Sequence, residues 1–562
     1  MTLKSLFSAG ALCVLAFAAG CSGHSAPSGQ ADAGCAGPSS GLTLPPGFCA
    51  EIFADRLGHI RHLAVGQDGT VYANSAPDRE DGHIASGLIL LQDRDGDGRA
   101  EHVERPFPGQ TGGTGIAIDR DRLFMEDGDH ILRYRLDGAT HRPMGAAERV
   151  VIELPTDGDH DSHSIALRAD GSLFVNSGSA TNACQVDNRQ SGSPGQTPCA
   201  EKALRAGIWR FAAAGTGQPL APAARFASGI RNAVGLAVDG RGRLFVTQHG
   251  RDQLHENWSH LYSATQGQEL PAEELIEVIA GADYGWPECY FDPNARRLVL
   301  APEYGGDGGT AIGPCAGRRG PVASFPAHWA PNAIAFYTGT LFPTAYRDGA
   351  FIAFHGSWNR APGPQQGFNI MFQPMKDGHA SGNSILFADG FAGPERASGK
   401  ADYRPTGLAI GPDGSLYVSD DKQGRIWRIR YRGDKAAALI AARAAEGGRL
   451  PASDGKKTEQ VKTADSAKIA LGRRLYEGEI AGAPCAGCHG PAGEGTPVGP
   501  NLADREWLWG NGSIFDIRAT VIKGVARPKR FPAPMPPSGG ASLTNDQADA
   551  IAAYIVSLAD GG

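Results

Sequence analysis

The chain has 562 residues, a formal net charge of −7 and a composition that is 41% hydrophobic, with 78 glycines and 38 prolines. This length exceeds what one hydrophobic core normally serves, so at least two domains are expected. The glycine and proline content favours many short strands and turns over long helices. The charge is mild and the sequence shows no basic patch or nucleic-acid-binding motif, which argues against a nucleic-acid partner.

The N-terminus is typical of an export signal. A lysine precedes an apolar run, Leu6 to Ala19, that is too short to span a bilayer comfortably. The run ends in Ala18-Ala19-Gly20-Cys21, which resembles a bacterial lipoprotein cleavage box, although Ala18 stands where leucine is usual. We therefore expect a signal peptide over 1–20, a linker over 21–42 and export to the periplasm. A lipid anchor on Cys21 and simple secretion with cleavage elsewhere both remain open.

Export permits disulfide bonds. Six cysteines remain once those of the signal, the lipid site and the C-terminal motif described below are set aside, and six allow fifteen pairings. Sequence proximity favours three short loops, closed by Cys35 with Cys49, Cys184 with Cys199, and Cys289 with Cys315.

One pattern returns six times between residues 43 and 433. Each copy is an alternating apolar strand, a turn and a second alternating strand, and the copies begin at His62, Gly115, Ser164, Gly235, Ala333 and Gly407. Repeated hairpins with insertions of variable length are typical of the blades of a β-propeller. The sequence therefore predicts a mainly β fold, a six-bladed β-propeller over 43–433, with a site in the loops at the mouth of its central channel.

A calcium-binding motif lies in the first repeat region. Asp93, Asp95, Asp97 and Glu104 have the spacing of an EF-hand loop. An EF-hand needs flanking helices, whereas strand-like residues surround this segment. The motif predicts either a calcium site or a hairpin closed by Asx turns.

Polar residues cluster just before or after the repeats. Histidines and arginines recur at these edges, in segments that contain Arg61, His160, Arg231, His249, His355 and Arg404. In a propeller these edges converge on one mouth. Several positive side chains would then face a common anionic ligand.

These segments, in this order, resemble the quinoprotein sugar dehydrogenases, which carry pyrroloquinoline quinone (PQQ) on a six-bladed propeller. The resemblance is to their sorbosone and pyranose dehydrogenase branch, and it rests on Asp159 to Ser162, Gly229 to Asn232, Gly281 to Pro287 and His355 to Arg360. The soluble glucose dehydrogenases carry a cofactor-binding lysine near the fifth blade, where this chain has His355. The resemblance covers 43–433 and implies oxidation of a sugar hydroxyl or aldehyde.

The resemblance also implies roles for individual residues. His160 would be the general base, because histidine accepts a proton near neutral pH, and Asp159 would orient its ring or stabilise the imidazolium. His163 is the alternative base. A calcium ion that polarises the quinone would be bound by the backbone carbonyls of Gly250 and Arg251. The rest of the PQQ pocket would be formed by Arg61, Arg231, Asn232, His328, His355, Trp358 and Arg404.

The C-terminal part contains Cys485-Ala-Gly-Cys488-His489, the spacing for covalent attachment of a c-type haem. A zinc knuckle or redox dithiol would need further ligands or another structural frame. His489 would bind the iron, and Met535, the only methionine after Met375, is expected opposite it, a pair that raises the reduction potential. Helical spacing around these residues resembles a small all-α cytochrome c domain over 465–562, after a linker over 434–464.

Together the motifs predict an exported oxidoreductase with three cofactors: PQQ, calcium and haem c. A sugar or sugar aldehyde would be the substrate, and the fused haem would pass electrons to an external acceptor. Fusion keeps the haem at a high local concentration near its donor. Two alternatives stay open: a calcium-dependent propeller hydrolase acting on lactones, and a non-catalytic binding propeller that displays a cytochrome.

Overall fold

The computed structural model describes residues 40–77, 85–360, 364–433, 461–480, 485–504, 506–509, 514–541, 543 and 545–560. The predicted signal peptide, Cys21 and most of both predicted linkers lie outside these ranges. The chain forms two compact units, Met1–Gly448 and Arg449–Gly562. No helix in the described ranges is long and apolar enough to cross a membrane.

The first unit consists mainly of six sheets, whose strands pair antiparallel except for β13 in the second sheet. Strands are numbered in chain order, and each sheet is described from its innermost strand outward. The first sheet contains β2 (Ile60–Val65), β3 (Val71–Ser75), β4 (Gly87–Gln92) and β5 (His102–Glu104). The second contains β6 (Ile116–Asp119), β7 (Arg122–Asp127), β8 (His130–Leu136) and β9 (Pro143–Ile152), with β13 (Gln218–Pro219) parallel to β9. The third contains β10 (Ile165–Leu167), β11 (Ser172–Ser177), β12 (Gly207–Ala212) and β14 (Arg225–Ser228).

The remaining three sheets follow the same order. The fourth contains β15 (Ala233–Val238), β16 (Leu244–Gln248), β17 (Glu273–Glu277) and β20 (Ala323–Phe325). The fifth contains β21 (Pro331–Phe336), β22 (Ala350–Phe354), β23 (Asn369–Gln373) and β26 (Ile385–Ala388). The sixth contains β27 (Pro405–Ile410), β28 (Leu416–Asp420), β29 (Ile426–Tyr431) and, at its outer edge, β1 (Phe48–Ala54).

The six sheets close into a ring. Each innermost strand contacts the innermost strand of the next sheet, and β27 contacts β2. The N-terminal strand β1 pairs with β29, so the first strand of the chain completes the last blade. The six sequence repeats form the two innermost strands of the six blades, and the predicted six-bladed propeller is confirmed.

The core lies between neighbouring blades. Strand side chains alternate between the two faces of a sheet, so one strand contributes to two interblade layers. In β11, Leu173 and Val175 pack with the second blade, whereas Phe174 between them packs with the fourth. This alternation is the reason why the period-2 apolar pattern predicts stacked blades.

The fourth and fifth blades contain inserted segments. The fourth holds α1 (Leu254–Asn257), α2 (Ala264–Glu269) and the hairpin of β18 (Cys289–Asp292) and β19 (Arg297–Leu300), and the fifth holds β24 (Met375–Lys376) and β25 (His379–Ala380). The predicted disulfides Cys184–Cys199 and Cys289–Cys315 are confirmed. Cys49 is also disulfide-bonded, and its predicted partner Cys35 lies outside the described residues.

The second unit is helical, as predicted. It contains α3 (Val461–Tyr476), α4 (Cys485–His489), α5 (Ile514–Lys523) and α6 (Asn545–Asp560). The first of these begins before the expected domain start at 465. Helices α3 and α6 pack closely, because Gly472 has no side chain where a Cβ would lie 1.9 Å from the carbonyl oxygen of Ala550.

Candidate functional site

One face of the propeller collects the polar loops. The two innermost strands of each blade are antiparallel, so the segment entering the first strand and the segment leaving the second lie at the same end. This end carries Arg61, His160, Arg231, His355 and Arg404, which come from five blades. The ring closure therefore brings the predicted mouth residues to one face.

His160 lies in the loop before β10 and is partly buried. Its Nδ1 is 2.8 Å from the carbonyl oxygen and 3.0 Å from the hydroxyl oxygen of Ser179. A carbonyl oxygen only accepts, so Nδ1 carries the proton and Nε2 keeps its lone pair. Burial first, and the charge of Arg231 second, hold the pKa of His160 well below its ordinary value. The imidazole is therefore neutral at pH 7, as a general base requires.

Asp159 does not orient this ring, which corrects one expectation. Its carboxylate pairs with Arg189 at 2.9 Å, while the carbonyl oxygen of Ser179 accepts the hydrogen bond from Nδ1 of His160. Arg189 was not among the predicted site residues.

His163, the alternative base, is 1% exposed. Its Nδ1 lies 2.9 Å from the carbonyl oxygen of Asn176, and its Nε2 lies 2.9 Å from that of Pro155. Its backbone N–H donates to the buried carboxyl group of Glu126. Because both ring nitrogens face backbone acceptors inside the protein, His163 is a structural residue and His160 is the accessible imidazole of this segment.

Asp252 organises one half of the mouth. Its Oδ2 accepts from Arg231 at 3.1 Å and from Arg189 at 3.3 Å, and its Oδ1 accepts from the amide of Asn359. Burial by itself would raise the pKa of Asp252, but Arg231, His328 and Arg189 outweigh burial and lower it to about 2. Asp252 is therefore an anion that holds two cations in place.

Arg231 has little capacity left for a ligand. Its other guanidinium hydrogen bonds go to the carbonyl and side-chain oxygens of Asn182, at 3.0 and 2.9 Å, and to the carbonyl of Gly250 at 2.9 Å. With the bond to Asp252, these four occupy most of the five N–H donors that a guanidinium offers. The predicted contact of Arg231 with a cofactor carboxylate is thus limited to one free donor.

Asp421 organises the other half of the mouth. Its carboxylate accepts a hydrogen bond from Nε2 of His355 at 2.7 Å and forms an ion pair with Arg61. The Nε of Arg61 also donates to Thr114 at 3.1 Å. Burial opposes ionisation of Asp421, yet His355, Arg61 and Arg404 drive its pKa far below its ordinary value. Burial and the charge of Arg404 lower the pKa of His355 to about 4 in spite of Asp421.

Arg404 and Trp358 are two predicted cofactor contacts that form no ion pair with these anions. Arg404 donates to the carbonyl oxygens of His355 and Gly356, at 3.1 and 2.7 Å, and its Nη1 has no partner among the described residues. Neither acceptor is charged, so the positive charge of Arg404 is not neutralised by a direct ion pair. Trp358 is 59% exposed. A guanidinium without a direct ion pair suits a ligand carboxylate, and an exposed indole suits an aromatic ring, and PQQ has both groups.

Asn232 supplies an independent sign of a missing ligand. Its buried Oδ1 has no hydrogen-bond partner among the described residues, which costs about 1–3 kcal/mol unless a ligand satisfies it. A Cβ on Gly178 would lie 2.6 Å from the Cβ of His160 and 3.3 Å from this oxygen, so glycine lets the backbone at 178 pack closely against both residues. The unpartnered oxygen of Asn232, close to the His160 segment, would accept a hydrogen bond from a group bound at the mouth.

His328 does not face the mouth directly. It is 6% exposed, with Nε2 3.0 Å from the carbonyl oxygen of Gly267 and Nδ1 3.9 Å from Asp252. His328 is therefore a buried neighbour of Asp252, which differs from the predicted contact with the cofactor.

The predicted calcium ligands lie in the loop after β16. The Gly250 N–H donates to Glu273 at 2.8 Å, and burial raises the pKa of this glutamate to about 8. The Arg251 guanidinium pairs with the buried Glu303. The Gly250 carbonyl already accepts from Arg231, but a carbonyl oxygen has two lone pairs, and the nearby Asp252 adds an anion. Such oxygens are the ligand type of a hard cation, but Arg231 hydrogen-bonds both the Gly250 carbonyl and Asp252, so a calcium ion at this position would lie beside a guanidinium.

The EF-hand expectation needs a correction. The acidic groups that converge are Asp93, Asp95, Asp97 and Glu101. Glu104 instead lies in β5 and pairs with Arg142, because the chain has already become extended at that position. Asp95 and Asp97 accept from the N–H groups of Asp97 and Arg99 at 3.1 and 2.8 Å, so the loop contains Asx turns.

The haem motif lines an apolar crevice of the second unit. Cys485, Cys488, His489 and Met535 all border it, together with hydrophobic residues of α5 and α6. His489 is 9% exposed, and its Nδ1 donates to the carbonyl oxygen of Pro500 at 3.0 Å. That bond leaves Nε2 free for a metal and fixes the ring. Met535 is held by two backbone hydrogen bonds to Val525, at 2.7 and 3.0 Å. The residues present fit a covalently bound haem with histidine and methionine as axial ligands.

The fold and its two sites define a propeller–cytochrome fusion protein. A model of the TrAA12-like family matches residues 42–432, and a cytochrome c model matches residues 469–559. The chain belongs to the TrAA12-like family and carries a cytochrome c domain after its propeller.

Curated relatives match parts of the chain. A PQQ-dependent pyranose dehydrogenase of Coprinopsis cinerea is 26% identical over an alignment of 239 residues that covers 36% of this chain and 30% of the relative. The cbb3-type cytochrome c oxidase subunit CcoP of Azospirillum sp. (strain B510) is 34% identical over 128 residues, 21% of this chain and 42% of the relative. The chain spans less than half the length of each of these relatives.

Solved structures share the propeller fold. The PQQ domain of Coprinopsis cinerea pyranose dehydrogenase, in its holo form, gives a TM-score of 0.54 at 19% identity, covering 71% of this chain and 99% of that one. A calcium structure of a Trichoderma reesei enzyme of carbohydrate-active family AA12 gives 0.55 at 19% identity, covering 69% and 97%.

The main site residues that the motifs did not indicate are the anions and Arg189. Asp252 directly follows the predicted calcium ligands, and Asp421 ends the hairpin of the sixth repeat. Their positions beside recognised segments are the signal that would have found them.

Proposed function

We propose that this protein is an exported quinohaemoprotein dehydrogenase whose propeller binds PQQ and calcium and oxidises a hydroxyl or aldehyde group of a sugar of the sorbosone or aldose type. The observation that carries the proposal is that His160, whose imidazole is neutral, and the Oδ1 of Asn232, which has no partner among the described residues, both lie next to Gly178 on the face that carries Arg404. The similarity to the PQQ-dependent pyranose dehydrogenase of Coprinopsis cinerea supports the same cofactor and substrate class.

Bound PQQ would supply the electron acceptor for the sugar. The chain's own part begins with His160, whose Nε2 takes the proton of the substrate hydroxyl. Ser179 keeps the Nδ1 proton in place, and the carboxylate of Asp252 favours the imidazolium that forms. Arg404 and Arg61 would hold the cofactor carboxylates, and Trp358 would cover its ring.

The cytochrome domain would take the electrons onward. Cys485 and Cys488 would bind the haem covalently, with His489 and Met535 at the iron. Methionine opposite histidine raises the reduction potential, which suits an electron acceptor. An acceptor outside the chain would receive the electrons at the periplasmic surface, where a lipid on Cys21 would keep the protein.

The test uses the full-length haem-loaded protein. PQQ, calcium and a panel of aldoses and ketose aldehydes are added while the haem absorption band is recorded. Haem reduction that requires both PQQ and a sugar is the expected result.

Two other outcomes would replace the proposal. Lactone opening without haem reduction would identify a hydrolase. Neither reaction, with no PQQ binding by titration, would identify a binding propeller.

A further inference from the structure

The loop closed by Cys184–Cys199 extends from the third blade onto the fourth. It forms a small hairpin, in which the Val186 N–H donates to Pro194 at 2.9 Å. The Ser191 hydroxyl and the Gly192 N–H both donate to the carbonyl of Asn257 in α1, at 3.1 and 3.2 Å. The disulfide and these bonds fix the loop across the boundary between two blades.

Arg189 lies at the tip of this loop. Its backbone is left-handed, with φ of 62°, which is uncommon for a residue with a side chain and persists only where the surroundings enforce it. Its N–H donates to Gln185 at 3.0 Å. The side chain is 27% exposed, so it lies at the rim of the mouth rather than in the core.

The guanidinium of Arg189 joins two carboxylates from different blades. It contacts Asp159 at 2.9 Å and Asp252 at 3.3 Å, and it also donates to Gln253 at 3.1 Å. Asp159 directly precedes His160 in the third blade. Asp252 holds Arg231 in the fourth.

We propose that Arg189 is a positioning residue, which locks the His160 segment to the Arg231–Asp252 pair of the fourth blade so that the base keeps a fixed position in the mouth. The proposal rests on the proposed function of the mouth. It assigns the disulfide loop a specific task, the delivery of this guanidinium.

The contacts predict which kinetic quantity changes. Without Arg189, Asp252 keeps Arg231 and Asn359, so the cofactor side of the mouth is retained. Asp159 loses its cation and keeps the amide of Asn188, at 3.5 Å. The base segment would therefore become displaced while the cofactor site stays formed.

The experiment compares Arg189→Gln and Arg189→Lys with the control Arg168→Gln. Arg168 forms an ion pair with Asp170 in the same blade, at a turn away from the mouth. We expect Arg189→Gln to lower kcat about 10- to 100-fold, since small displacements of a reacting group have effects of this order. KM and the PQQ affinity should stay close to wild type. The lysine variant should recover part of kcat, because a lysine can pair with one carboxylate but lacks the fork that reaches two.

A second readout does not depend on activity. Amide hydrogen exchange across 157–163 should become faster in Arg189→Gln than in Arg168→Gln. Asp159→Asn should speed the same amides, and the double variant should add little to either single one. If Arg189→Gln folds poorly, Asp159→Asn compared with Arg168→Gln still tests the contact.

Equal kcat and equal exchange in Arg189→Gln and Arg168→Gln would overturn the proposal. Equal losses in kcat and in PQQ affinity would also overturn it, because they would indicate a general structural role. A wild-type protein that oxidises no sugar would refute the proposed function alone, since the exchange of 157–163 would still decide whether Arg189 holds that segment.

Discussion

The haem crevice and the propeller mouth are built in opposite ways. Three of the four predicted haem-binding residues lie within Cys485–His489, in one short helix. The mouth takes its residues from five blades, between Arg61 and Arg404. A contiguous motif brings its ligands together by local spacing, whereas the mouth exists only when β1 and β29 close the ring. The two sites should therefore respond differently to substitution.

The largest effect is expected at the haem-binding motif. Cys485→Ala with Cys488→Ala removes both attachment points, so covalent haem and haem-coupled sugar oxidation should be lost entirely. Oxidation with a soluble dye as acceptor should continue, because the mouth contains none of these residues. Haem staining and the two assays measure this, and a parallel loss of the dye-linked reaction would contradict the independence of the sites.

The next effect tests the base. His160→Ala should lower dye-linked kcat by about 10²–10⁴-fold, the usual contribution of a general base, with little change in thermal stability. His163→Ala should instead lower stability, because it removes two buried hydrogen bonds. Full activity in His160→Ala would remove that residue from the proposed mechanism.

Substitutions of two arginines of the mouth should distinguish a loss of PQQ affinity from a loss of folding stability. Arg404→Ala should weaken PQQ affinity by about 10- to 100-fold, the loss expected for a charged hydrogen bond of about 1.5–3 kcal/mol. Arg231→Ala should destabilise the fold by about 3–5 kcal/mol, because it leaves Asp252 buried without its main cation. PQQ titration and urea unfolding of both variants measure the difference. The reverse pattern would show that Arg231 holds the cofactor.

The last prediction concerns the pH dependence of stability. Burial raises the pKa of Glu274 from 4.5 to about 8, so the folded protein keeps a proton that the unfolded chain releases. This contribution is complete below pH 4.5 and is lost as the pH rises to 8, by up to about 1.4 kcal/mol per pH unit.

Glu274→Gln cannot release this proton, so its melting temperature should fall less between pH 5 and 8 than that of wild type. Glu277→Gln, at the less buried end of β17, is the matched control. Parallel curves for wild type and Glu274→Gln would show that Glu274 is ionised in the folded protein.

Much of the architecture was predictable from patterns. The six repeats correspond to the inner hairpins of the blades because a period-2 apolar pattern packs a sheet on both faces. Two of the disulfides followed from proximity along the chain. The expectation for Glu104 was wrong because motif spacing ignores that the chain becomes a strand at His102.

The sequence by itself determined the number of blades, the haem-binding motif and the segments that meet at the mouth, because each depends on residues that are close in the chain. Only the tertiary structure decided which cations of the mouth are neutralised and which are free. Asp421 reaches Arg61 across 360 residues of sequence, and Arg189 reaches Asp252 across 63. Such pairs are set by the closure of the ring, and no local pattern records them. Arg404 is left without an anionic partner for the same reason.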